Sequence, residues 1–120
     1  MAGRKTNPPF LNGVPELLLL ELLARRSMYG YELVQAIRAA TGGELEFGEG
    51  CIYPILHRLE GQGVLAAQRQ AVGGRVRVVY GLTAKGKTQW AESKSAWQRV
   101  TQAIHHALQG GERGRAALAS

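Results

Sequence analysis

The sequence predicts a mainly α chain with one β-hairpin: three short helices, two strands and a longer last helix, in that order. Three observations carry it. Between Gly50 and Gly63, Ile52, Ile55, Leu56 and Leu59 fall on one helical face, with Gly50, Tyr53, Pro54, His57 and Arg58 opposite. From Arg75 to Leu82, Val76, Val78, Tyr80 and Leu82 alternate with Arg75, Arg77, Val79 and Gly81, the period of a strand. In the last segment Trp90, Trp97 and Ile104 recur every seven residues, each followed three residues later by Ser93, Val100 and Ala107 in turn, which suits a helix packed on another helix, in the same chain or across a dimer.

Composition sets the bounds. A chain of 120 residues, 45% apolar and 20% charged, is a single globular domain with a modest core. Its net charge of +6 makes nucleic acid or an anionic surface a fitting partner. The most apolar run, Leu17 to Leu20 extended to Leu23, is interrupted by Glu21 and is far shorter than the ~20 residues that cross a bilayer. It reads as a buried helix, so no membrane partner is expected. Arg4 and Lys5 are followed by Pro8 and Pro9 rather than an apolar core, which gives no signal peptide, and Cys51 is the only cysteine. Both point to the cytoplasm.

In chain order, residues 1–12 read as a flexible basic arm that becomes ordered near Phe10 and Leu11. Asn12 and Gly13 stand where a cap would, Pro15 suits a first turn, and helix one runs from about Val14 to Arg26. Its leucines cover more than half the circumference, which calls for burial on more than one side. Ser27 to Tyr31 is a connection into helix two, about Gly30 to Thr41, with a stripe of Leu33, Val34 and Ile37 and a stop at Gly42-Gly43. Glu44 to Glu49 leads into helix three, which ends at Gly61 and Gly63. The strands run from about Val64 to Gln70 and from Arg75 to Leu82, joined by a tight turn at Gly73-Gly74. Thr83 starts the last helix, and from Gly110 the Gly, Ala and Arg content suits a disordered tail.

Three helices followed by a hairpin make a winged helix-turn-helix, here spanning 13–82, with 83–109 as a last helix that packs within the chain or across a dimer and 110–120 as tail. In that arrangement the third helix enters the major groove and the hairpin lies along the flanking backbone. The charge agrees. From Gly61 to Ala91 there are five cations, Arg69, Arg75, Arg77, Lys85 and Lys87, and no carboxylate. A solvated strand edge that resists pairing would carry similar charge, but the helix before it favours DNA.

Enzymatic motifs are missing. The sequence contains no aspartate, no glycine-rich phosphate loop and no nucleophile with a base at a recognisable spacing, so an enzyme is not expected. His105 and His106 are adjacent and diverge by about 100° on a helix, the wrong geometry for shared metal ligation, and no metal or cofactor is expected. On the outer face of helix three, Tyr53 contacts a phosphate or base, the alternative being a half-buried spacer. His57 and Arg58 read bases, or Arg58 sits on phosphate. Arg75 and Arg77 are backbone contacts that set affinity more than sequence.

The order and spacing of several motifs together resemble the PadR family of winged-helix transcriptional regulators. They are Tyr29-Gly30-Tyr31-Glu32-Leu33, Gly50-Cys51-Ile52-Tyr53-Pro54-Ile55-Leu56 with Arg58-Leu59-Glu60 and Gly63, and Tyr80-Gly81-Leu82-Thr83 with Gly86. The resemblance covers roughly residues 17–108. It implies a dimeric repressor on a palindromic double-stranded DNA operator, and the single C-terminal helix resembles the short subgroup. In that subgroup a tryptophan at the dimer centre stacks on planar aromatic effectors, and Trp97 matches it. The family usually has Ser or Thr at the position of Cys51, where a hydroxyl would cap helix three or touch phosphate; a thiol does both poorly. Cys51 is read as a small packing residue in preference to a redox switch. Pro54 is tolerated as a residue near the first turn.

The expected DNA-facing set is thus Tyr29, Tyr31, Cys51, Tyr53, Pro54, His57, Arg58, Arg75 and Arg77. The expected dimer contacts are Trp90, Trp97, Val100, Ile104 and Leu108. A planar aromatic ligand would meet Trp97, Val100, Ile104 and Leu17. The rival is a winged-helix regulator controlled by a protein partner with no small ligand.

Overall fold

A computed structural model describes residues 11–110. The expected N-terminal arm, except Leu11 and Asn12, and the expected tail from residue 111 lie outside the described residues. The elements are α1 (Val14–Arg25), β1 (Met28–Tyr29), α2 (Gly30–Ala40), α3 (Glu49–Gly61), β2 (Leu65–Val72), β3 (Arg75–Leu82) and α4 (Ala84–Leu108). The chain divides into two compact units, one reaching to Trp90 and the other beginning at Ala91. Among the described residues no helix is long and apolar enough to cross a membrane.

The core of the first unit follows from the apolar pattern. Leu19, Leu20, Leu33, Ile37, Ile52, Leu56, Leu59 and Val64 are fully buried, so α1, α2 and α3 each turn one stripe inward. Leu22 and Leu23 are also buried, and Leu18 packs partly against the cluster, which accounts for the wide apolar surface of α1. Gly13, at φ 90°, caps α1 through its backbone, its carbonyl accepting from the Leu17 amide at 3.2 Å; no side chain caps this end, so Asn12 does not serve as expected.

Met28 and Tyr29, expected within a connection, form a third strand instead. They pair antiparallel with Tyr80 and Val79 of β3, giving a sheet of order β1-β3-β2. Two residues are too few to display alternation. In the hairpin, Val72 faces Arg75 across Gly73 and Gly74, whose φ values of 54° and 78° are those of a type I′ turn. β2 therefore runs two residues beyond Gln70. Val76, expected on the apolar side of β3, is 65% exposed, whereas Tyr80 on the same side is buried, because the hairpin leaves the core as it approaches its tip.

The start of α4 is fixed by Thr83, as its place in the sequence suggests. Its hydroxyl accepts from the Gly86 amide at 3.0 Å and donates to the Gly63 carbonyl at 2.6 Å, while its own amide donates to the Val64 carbonyl at 3.1 Å. One threonine thus caps α4 and ties it to the end of α3. Gly86 lies against that same Val64 carbonyl, and a Cβ there would stand 2.2 Å from the oxygen.

Candidate nucleic-acid interface

Helix α3 turns Ile52, Leu56 and Leu59 inward and leaves Gly50, Pro54, His57 and Arg58 exposed, as the periodicity requires. The two flanks of this outer face meet different neighbours.

On one flank Tyr53 is half-buried and lies over the start of α2. A Cβ on Gly30 would stand 2.5 Å from its ring carbons and hydroxyl, so only glycine lets this ring lie down. Burial raises the Tyr53 phenol above its ordinary value of 10.0, and nearby Glu49 adds to the shift. Burial raises Tyr80 too, with Glu60 and Tyr53 contributing. Both phenols therefore keep their protons near neutral pH. His57 stands beside Tyr53, with ring centroids 6.2 Å apart.

Next to Gly30 the path continues to Tyr29, whose amide donates to the Glu32 carboxylate at 3.1 Å, tightening the first turn of α2. Glu32 also meets Arg26 at 3.0 Å. The Tyr29 ring lies under the Arg77 guanidinium at 4.5 Å, a cation–π contact across paired β1 and β3. Tyr53, Tyr29 and Arg77, separately nominated from sequence, thus form one contiguous path from α3 to the hairpin by way of Gly30. Tyr31 is 49% exposed on the first turn of α2.

On the other flank Arg58 is already engaged. Its Nη2 lies 2.5 Å from Glu16 Oε1 on α1, and Glu16 Oε2 accepts from Gln89 Nε2 of α4 at 3.4 Å. Glu16 and Gln89 stand 42 residues before and 31 residues after Arg58, so periodicity gives no signal for either. Cys51 and Ile55 line a shallow groove with Pro15, Glu16 and Arg58. Cys51 is exposed but is not the cap position: Gly48 caps α3, and the Cys51 amide donates to its carbonyl at 3.0 Å. A hydroxyl at residue 51 would therefore not be at the cap. Pro54 falls in the second turn rather than the first, so its missing donor is the one that would reach Gly50. Gly50 is exposed, so its carbonyl, left without that donor, faces solvent.

At the hairpin, Arg69, Arg75 and Arg77 are exposed, whereas Lys85 donates to the Gln62 carbonyl at 2.7 Å. The seven-residue stripe of α4 divides. Trp90 is half-buried against the first unit's core, its indole N–H donating to Glu21 at 2.8 Å. Trp97, Val100, Ile104 and Leu108, in the second unit, are 41%, 50%, 51% and 81% exposed. Leu17 on α1 is half-buried.

The family model for the Transcriptional regulator PadR-like family matches residues 19–92. The chain is 36% identical over 83 residues to the transcriptional regulator YqjI of Escherichia coli, covering 69% of this chain and 38% of that longer protein. It is 29% identical over 101 residues to protein X of Lysinibacillus sphaericus, covering 83% of this chain and 93% of the other. Among solved structures, a PadR-like transcriptional regulator from Bacillus cereus superposes with a TM-score of 0.74 at 31% identity, covering 86% of this chain and 99% of that one. The family match takes in the end of α1, β1, α2, α3, the hairpin and the start of α4, and so includes Tyr29, Tyr53 and Arg77 but not Glu16 or Trp97; the proteins so named are regulators rather than enzymes. The chain belongs to the PadR-like family of transcriptional regulators.

Proposed function

We propose that this regulator is a cytoplasmic, dimeric repressor that binds double-stranded DNA through α3 and the hairpin and is released by a small planar aromatic molecule at the dimer centre. The observation that carries the DNA reading is the path Tyr53–Gly30–Tyr29–Arg77, which gives the exposed face of α3 and the cationic hairpin a shared support. Arg75 and Arg77 neutralise phosphate, and the exposed residues of α3 meet base edges. Two copies related by a two-fold axis read a palindrome, each filling one half-site.

Support for the dimer is the exposed stripe of Trp97, Val100, Ile104 and Leu108, a large apolar surface for a single helix to leave in water. A flat effector would stack on Trp97 between two copies. It would act by preferring one separation of the paired α3 helices, shifting DNA affinity by its differential binding free energy.

The test combines sedimentation with fluorescence. The protein should sediment as a dimer that Ile104→Glu dissociates, and planar aromatic dyes should quench tryptophan emission saturably in the wild type but not in Trp97→Phe. Dimers whose emission ignores every such dye would favour control by a protein partner. A stable wild-type monomer would overturn the dimer.

A further inference from the structure

Arg58 is the one cation on the exposed face of α3, and it is held from outside that helix. Its Nη2 meets one oxygen of Glu16 at 2.5 Å, and the other oxygen of Glu16 takes Gln89 at 3.4 Å. We infer that Glu16 is a positioning residue for DNA sequence discrimination, orienting the Arg58 guanidinium toward a base edge. The inference rests on the DNA-binding reading above.

The geometry suits orientation better than inhibition. Guanidinium has five N–H donors in a fixed fork, and contact through one nitrogen leaves the others without a protein partner among the described residues. A long arginine on a helix surface samples many rotamers, and a carboxylate at its tip removes most of them before DNA arrives. Glu16 is itself restrained. It sits in the first turn of α1, its side chain is 27% exposed against 49% for Arg58, and Gln89 occupies its second oxygen. An ion pair this exposed contributes little to stability, so its loss leaves the fold in place. Its function lies in where it puts Arg58.

Selection from duplexes with a randomised core, followed by affinity measurements on single-base variants of the selected site, tests this. Wild type should enrich a two-fold-symmetric motif, and Arg58→Ala should lose preference at one base pair in each half. Glu16→Ala should lose preference at that same base pair by about tenfold, the scale of one well-placed arginine contact. Glu16→Gln, which keeps a neutral acceptor, should fall between. Neither variant should weaken binding to a non-cognate duplex, since both remove a negative charge near the phosphates. In the Arg58→Ala background, Glu16→Ala should change nothing further at that base pair. Glu16 variants that keep the wild-type preference, or lose it evenly across the motif, would overturn the inference. A wild-type motif that Arg58→Ala leaves intact would overturn it while the DNA-binding function stands; a wild type that enriches no motif would overturn both.

Discussion

Gly86→Ala should destabilise the protein, although alanine in place of glycine normally helps a helix. The helical preference of alanine is worth about 1 kcal/mol. Against it stands the Val64 carbonyl, whose oxygen would lie 2.2 Å from the new Cβ, well inside the 3.0 Å that real Cβ contacts respect, with Leu82 Cδ2 at 3.1 Å. The opposing atom is backbone and already accepts from the Thr83 amide, so it cannot swing aside as a side chain would. Overpacking typically costs 1–3 kcal/mol, and a backbone clash belongs at or above the top of that range. The net is about 2 kcal/mol of lost stability, which for a domain of this size lowers Tm by roughly 10 °C. Thermal unfolding followed by circular dichroism measures it. Gly50→Ala, on α3 with nothing within 4 Å of the new Cβ, should leave Tm unchanged or raise it slightly. An equal or higher Tm for Gly86→Ala would refute the seating of α4 on the Val64 carbonyl.

Two further predictions concern the path beneath the interface. Gly30→Ala should displace the Tyr53 ring and weaken duplex binding several-fold at a stability cost of about 1–3 kcal/mol, measured by binding and unfolding together; wild-type values for both would remove Gly30 as a packing determinant. Because Tyr53 and Tyr80 hold their protons more tightly folded than unfolded, their contribution to stability is fully present below pH 10.0 and is lost as pH rises through their elevated folded values. Stability should show no tyrosine-linked change from neutral pH to about pH 9 and then decline, and Tyr53→Phe should flatten the decline in denaturant titrations across alkaline pH; an unaltered slope would contradict the shift.

Legibility followed the range of the interactions. Local periodicity was enough for the inward faces of α2 and α3, and two adjacent glycines were enough for the hairpin turn, because each is decided within a few residues. Met28–Tyr29 was hidden because a two-residue strand exists only through β3, about fifty residues later in the chain. Alternation placed Val76 on the correct side of the strand but could not tell that the core had already ended. At the interface, sequence nominated Tyr53, Tyr29 and Arg77 one at a time; their contiguity depends on Gly30 admitting a ring, a tertiary fact. The seven-residue spacing grouped Trp90 with Trp97, yet only the first has its indole N–H satisfied by Glu21. Glu16 was invisible as a partner of Arg58 because charge patterning reports neighbours on one helix, not partners on two.

The central claim, that α3 and the hairpin hold duplex DNA, is tested most directly by the salt dependence of operator binding in the Arg75→Ala/Arg77→Ala double variant. Each phosphate contact contributes about 0.9 to the slope of log K against log salt, so two arginines on each of two hairpins predict a slope shallower by roughly 3 to 4, with weaker binding at every salt concentration. The preferred base at each motif position should stay the same. Binding and slope identical to wild type would contradict the placement of the hairpin on DNA.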